Sequence, residues 1–214
     1  MWRGKEIVNM LPAINDHPLV SEIILIDNDP TRKNEELCAL SKVKYVTFGI
    51  NIYVVPAWNY GWEHAENDKL VIINDDVLFD PVLLTALDAA ITEDIGTITM
   101  EPEIVLQSSD TDQVIPSGAT VDGILFKDVP DLRYKSAIVL GIHKKVYEKV
   151  PEQLLINYSD EFLFRLAIAR GKQNKFAHGD FRCKTRMSTT SSLFGTIAQK
   201  EAGIYREVFN KYGI

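Results

Sequence analysis

Cysteine is scarce in this chain: its 214 residues include two, Cys38 and Cys183, far apart and in no metal-binding spacing. A disulfide framework and a zinc ribbon are both excluded, and the two residues are expected as reduced thiols. Long apolar runs are missing as well. Stretches such as Ala137 to Ile142 fall far short of the roughly 18–20 residues that span a bilayer, so no membrane-spanning helix is expected. The chain opens without the charged, apolar and small-residue sections of a secretory signal, which makes the cytoplasm the expected compartment. There is no internal repeat, low-complexity tract or linker. What is present, 46% hydrophobic and 25% charged residues, is the composition of one soluble globular domain over residues 1–214, and disorder, collagen and coiled coil are excluded.

A basic excess is also lacking. Lysine and arginine number 23 against 30 aspartates and glutamates, a net charge of −7, which argues against a protein that meets nucleic acid with its whole surface. The distribution is uneven, however. Between Arg165 and Met187 stand seven cations and a single acid, Asp180, while the remainder carries 16 basic and 29 acidic residues. That local excess suits an anion.

Periodicity gives the elements. Ile7, Val8, Leu11 and Ile14 recur at helical spacing and predict a helix from Gly4 to Asn15. Glu22 to Ile26 reads as a buried parallel strand closed by the turn Asp27-Asn28-Asp29-Pro30. A helix over Glu35–Ser41, a strand over Tyr45–Phe48 and a helix from Pro56 to Glu66 lead to the apolar strand Lys69–Ile73, which stops at Asn74-Asp75-Asp76. Asp80 and Pro81 begin a helix to Ile91, and Gly96–Met100 is a further strand. Val114 to Phe126, broken by proline, serine and glycine, reads as an antiparallel excursion. A strand over Ala137–Ile142, a short helix over Lys144–Val150, a helix over Asp160–Arg170 and a last helix over Thr196–Tyr212 complete the chain. Alternating strands and helices predict an α/β fold: an open, mostly parallel sheet with helices on both faces, its ligands at the carboxyl ends of the strands. Both acidic turns belong at that edge.

Carboxylates directly after a hydrophobic strand suit Mg²⁺ or Mn²⁺, because hard cations prefer oxygen ligands and take one or two from protein beside a nucleotide. The plainer reading of Asn74-Asp75-Asp76 is a polar turn. The ordered set of motifs, however, resembles the family 2 glycosyltransferases of the GT-A fold, nucleotide-sugar-dependent inverting enzymes, over nearly the whole chain. Glu22 to Asn28 is similar to the family's second strand with its base-contacting aspartate. Asn51 with Ala57-Trp58-Asn59-Tyr60-Gly61 looks like the segment before the metal strand, and Leu70 to Val77 looks like the strand and DXD motif, with Asn74 in place of the first aspartate. Ala137 to Val150 resembles the strand and helix beside the acceptor pocket. Asp160-Glu161 to Arg165 and Gly171 resembles the catalytic segment.

The resemblance implies a division of labour: residues 1–100 form a nucleotide-binding half, and residues 101–214 an acceptor-binding half with a C-terminal helix. It assigns Asp27, Asn28, Asn59, Asn74 and Asp75 to the nucleotide sugar, Asp76 to the metal, and Glu161, with its neighbour Asp160, to removal of the acceptor proton. Helix capping by Asp160 is the structural alternative for that pair. His178 is a candidate second metal ligand, although it lies nearer Gly171 than the family's spacing. Lys184 and Arg186, in the loop Arg182–Ser192, suit the donor diphosphate. One departure stands out: the family opens with an apolar strand before its first helix, and here Met1-Trp2-Arg3 falls where the turn after that strand should be. A metal-dependent inverting transferase using a nucleoside diphosphate sugar is thus expected, with a saccharide, a lipid-linked molecule or modified DNA as acceptor. A binding or scaffold protein on a degenerate transferase fold, and a nucleotidyltransferase, are the alternatives.

Overall fold

A computed structural model describes residues 6–29, 31, 33–107, 114–129, 137–186 and 195–214. The first half alternates as the apolar runs require: α1 (Glu6–Asp16), β1 (Ile23–Asp27), α2 (Glu35–Cys38), β2 (Val43–Thr47), α3 (Val54–His64), β3 (Lys69–Ile73), β4 (Val77–Phe79), α4 (Val82–Ala90) and β5 (Ile95–Met100). Capping residues fix the helix starts. Asn34 accepts from Leu37 N at 3.1 Å to open α2, and Asp80 accepts from Val82 N at 3.0 Å to open α4, each satisfying a donor that the first helical turn leaves over. The second half contains β6 (Val105–Gln107), β7 (Ile124–Asp128), β8 (Val139–His143), α5 (Ser159–Ala169), β9 (Gln173–Gly179), β10 (Cys183–Thr185) and α6 (Gly195–Lys211).

The strands form three open sheets. A five-stranded sheet runs β3-β8-β5-β9-β7, a three-stranded one β4-β10-β6, and β1 and β2 form a parallel pair by themselves. The expected mostly parallel sheet is instead mixed. β8 is antiparallel to both β3 and β5, β7 to β9 and β4 to β10, while β1–β2, β5–β9 and β6–β10 are parallel. The reason is connectivity: among the described residues no crossover helix links β5 to β8, and only such a crossover obliges parallel pairing.

Helices do cover both faces, as the composition of the core shows. Val139 packs with Phe79, Leu83, Leu87 and Ile98 on the face of α1 and α4, while Leu140 and Ile142 pack with Phe162, Leu163 and Phe209 on the face of α5 and α6. That split follows the two-residue alternation of a strand. Two local expectations fail. Lys144–Val150 is a turn and coil, because Val146, Tyr147 and Val150 are all buried and Asn59 holds both Tyr147 and Val150. Gln173–Gly179, left without an element by its polar sequence, is an inner strand: Asn174, 1% exposed, accepts from Thr97 N and Oγ1 and donates to Phe164 O, so its amide is satisfied inside the sheet.

Candidate functional site

The acidic turn after β3 is held from two sides. Asn74 N donates to Ile138 O at 3.0 Å, continuing the β3–β8 ladder one residue. Asp76, 4% exposed, lies 3.4 Å from the hydroxyl of Thr185 on β10. Burial, with the neighbouring Asp76 charge adding to it, pushes the Asp75 carboxyl above its ordinary range. Immediately beyond Thr185, Arg186 pairs with Glu6, which brings the first turn of α1 to the same edge.

The start of α5 reaches this turn through β8. Asp160 Oδ2 accepts from Ala137 N at 3.3 Å, and the next residue, Ile138, is the one bonded to Asn74. Asp160 is thus linked to the acidic turn through two successive hydrogen bonds, and the two adjacent acids differ in their partners. Glu161 is buried and turns along its own helix, its Oε1 2.7 Å from both Nε and Nη2 of Arg165. Asp160 Oδ1 also accepts from Glu161 N at 2.8 Å, but the residue at the N-cap of α5 is Tyr158, which makes no side-chain cap bond, so the expected capping by Asp160 is not found.

On the other flank, Asp27 is 3% exposed, accepting from Asp29 N at 2.8 Å and from the Tyr45 hydroxyl at 2.9 Å. Burial and the Asp27 carboxylate together push the Tyr45 phenol up to about 12. Asp27 thus shapes the turn, and its neighbour Asn28 faces the cleft. Asn28 Oδ1 accepts from Ile52 N at 3.0 Å, and Asn51 Oδ1 accepts from Tyr53 N at 2.8 Å. These bonds hold Tyr53 at φ 67°, left-handed for a non-glycine residue; Tyr158, directly before α5, is the other such residue, at φ 64°. Backbone strain of about 1–3 kcal/mol at each persists only where surroundings enforce it, and both residues stand at helix starts on the flanks of the acidic turn. Sequence reading did not single out Tyr53 or Tyr158, since neither carries a local signal, and Thr185 entered it only within the loop Arg182–Ser192.

Other nominated residues are placed elsewhere. Asn59, 4% exposed, donates to Val150 O and accepts from Val150 N and Tyr147 Oη, so it fastens the 147–150 coil and leaves no polar group for a nucleotide. His178 shares the edge but sits on β9, three strand positions from β3, or about 14 Å at ordinary strand spacing, with its Nδ1 4.0 Å from Glu101. The basic run is dispersed as well: Arg165, Arg170, Lys175 and Arg186 pair with Glu161, Glu148, Asp128 and Glu6. These pairings engage four of the seven cations in the stretch that suits an anion. Lys184 lies on β10 opposite Leu78, because 183–185 is a strand and not part of a loop. Residues 187–192 of the expected clamp lie outside the described residues.

Among the described residues there is no group of three or more His, Cys, Asp or Glu side chains around one point. A closed protein cage for a metal is thereby absent from them. Asp75 and Asp76 do offer adjacent carboxylates, the oxygen donor set of a hard cation that takes its remaining ligands from phosphate and water. The donor chemistry fits such a cation at one or two protein ligands.

A cleft of about 670 Å³ has Asn28, Asn51, Tyr53, Asp75, Asp76 and Arg186 among its lining residues, whereas Asp27 and Asp160 do not line it. No helix among the described residues is long and apolar enough to cross a membrane. No family model matches the chain, and no curated protein matches it. Solved structures do: an inositol-1-phosphate CTP transferase from T. maritima aligns with a TM-score of 0.50 at 13% identity, over 91% of this chain and 83% of that one. At that identity the likeness is one of fold, a mixed α/β fold shared with a nucleotide-using transferase.

Proposed function

We propose that this chain is a nucleotide-dependent transferase that moves a sugar from a nucleoside diphosphate to an acceptor hydroxyl with inversion. The observation that supports the reading is the link from the acidic turn to the start of α5, Asn74 to Ile138 and Ala137 to Asp160. Asn28 and the strained Tyr53 segment flank the nucleoside, and Arg186 stands near the diphosphate. A divalent cation held by Asp76 and Asp75 would offset charge on the departing diphosphate. Asp160, not Glu161, takes the proton as the acceptor oxygen attacks the anomeric carbon and the carbon–oxygen bond to the diphosphate breaks. General-base assistance of this kind contributes about 10²- to 10⁴-fold to rate.

Nucleotidyl transfer is the second reading, favoured by the fold likeness to a CTP transferase. The two differ in what leaves. Incubation with Mn²⁺ and a panel of nucleoside diphosphate sugars should release nucleoside diphosphate, and D76N should abolish that release while the variant stays folded. Pyrophosphate released from a nucleoside triphosphate in the presence of a sugar phosphate would establish the second reading. A folded protein that binds neither class of nucleotide by calorimetry would refute both in favour of a scaffold.

A further inference from the structure

Tyrosine is an unfavourable residue with which to open α5. Tyr158 is the N-cap at φ 64° and ψ 0°, in the left-handed region, and it makes no side-chain cap bond. A Cβ is crowded in that conformation, which glycine alone adopts freely. The chain is fixed on both sides of it. Asn157 is held by Glu201 of α6, through its N at 2.9 Å and its Nδ2 at 2.8 Å, and Asp160 accepts from Ala137 N at 3.3 Å. Between those anchors an irregular coil becomes a helix, and Tyr158 O accepts from Phe162 N at 2.8 Å to begin it. The reversal falls on Tyr158.

What meets its ring is α6. Tyr158 stacks on Tyr205 with ring centroids 4.4 Å apart and planes 2° from parallel. Tyr205 stands four residues after Glu201 and four before Phe209, so the three share one face of the helix. That face takes hold of the chain in order. Glu201 accepts from the backbone of 155–157, Tyr205 stacks on Tyr158, and Phe209 lies 5.9 Å from the Phe162 ring and 5.7 Å from the Arg165 guanidinium. Tyr205 and Phe209 are themselves edge to face at 5.7 Å, so the stacked ring has a fixed backing. Aromatic pairs attract beyond the area they bury. Here the attraction depends on the backbone, because a return of Tyr158 to negative φ would swing its Cβ, and the ring with it, away from Tyr205.

We propose that Tyr205 is a positioning residue: its ring holds Tyr158 left-handed, and so fixes where α5 begins and where Asp160, two residues on, is placed. The consequence for proton transfer rests on the transferase reading above; the consequence for the backbone does not. Amide exchange reads the backbone without substrate. In Tyr205→Leu, which fills the space but removes the stack, exchange at Ala137, Glu161 and Phe162 should quicken about tenfold or more relative to the amides of β8. Tyr205→Phe, which keeps the ring, should leave all three within about twofold of wild type. Adding Tyr158→Gly to Tyr205→Leu should recover most of the loss, because glycine adopts positive φ unaided, whereas a ring that only fills space would make the two losses add. In the transfer assay Tyr205→Leu should lower kcat about tenfold or more while KM for the nucleotide sugar stays within about twofold, and the added Tyr158→Gly should raise kcat again. Should Tyr205→Leu not fold, Tyr205→Met is read at the same three amides. Unchanged exchange in the folded variant, quickening shared equally by β8, or no recovery on adding Tyr158→Gly would overturn the proposal. A wild-type protein that transfers no sugar would refute the transferase reading alone, and the exchange series would still decide whether Tyr205 sets the start of α5.

Discussion

Replacing Glu201 of α6 tests how the C-terminal helix supports the site. Its side chain is 1% exposed and gathers four donors from one short coil: Leu155 N, Ile156 N at 2.7 Å, Asn157 N at 2.9 Å and Asn157 Nδ2 at 2.8 Å. The same coil reaches on to the site, because Leu155 O accepts from Val54 N and Val55 N at 3.0 Å each and so receives the opening donors of α3, next to Tyr53. In Glu201→Ala the N–H of Ile156, a buried residue, loses its partner outright, while Leu155 and Asn157, half-buried, recover part of their bonding from water. At about 1–3 kcal/mol for a stranded buried donor and rather less for the other three, the loss comes to about 3–5 kcal/mol, the range seen when one member of a buried polar network is removed. Against a total stability of about 5–15 kcal/mol that is large. Thermal unfolding should fall by roughly 6–20 °C for a chain of this size, and urea unfolding should show a lower midpoint with an unchanged slope. Glu201→Gln should lie between, since it keeps one acceptor oxygen and sets an amide against donors. A shift below 2 °C for Glu201→Ala would refute the reasoning, because it would mean that the coil finds other acceptors and α3 is started without it.

Asp160→Asn should lower turnover about 10²–10⁴-fold with little effect on melting, whereas Glu161→Gln, which breaks the Arg165 pair, should shift stability more than the intrinsic rate; comparable rates for wild type and Asp160→Asn would return the base to Glu161. Gly179→Ala should destabilise by about 1–3 kcal/mol or more, since φ is 122° and an added Cβ would lie 2.1 Å from Gly123 O, and urea midpoints check it. His17 is held below its ordinary value of about 6.5 by burial and by Lys42; the unfolded chain therefore takes up this proton first as pH falls, and stability drops from about pH 6.5 down to the lowered folded value. His17→Gln should flatten that acid limb, measured as the slope of unfolding free energy between pH 7 and 5.

The elements whose apolar period is uninterrupted were legible from sequence: α1, β1, β3, α4, β5, β8 and α5 all stand within a few residues of their expected positions, because burial of a continuous face needs no partner to be named in advance. The failures share a different cause. β9 depends on Asn174 meeting Thr97, 77 residues away, and the 144–150 coil depends on Asn59 meeting Val150, 91 residues away; neither contact leaves a trace in local periodicity. The site divides along the same line. Asn74, Asp75 and Asp76 could be placed at a sheet edge because a strand delivers its own next residues there, and Glu161 with its neighbour Asp160 at a helix start for the same kind of reason. Asn59 and Asn28 were indistinguishable as letters, two polar residues in motif-like surroundings. Only the fold shows that the first is buried in the interior, whereas the second, its amide engaged by Ile52 N and Tyr53 O, lines the cleft. A motif therefore carries most weight where it adjoins the end of an element, and least where it lies inside a helix whose polar residue the core itself can use.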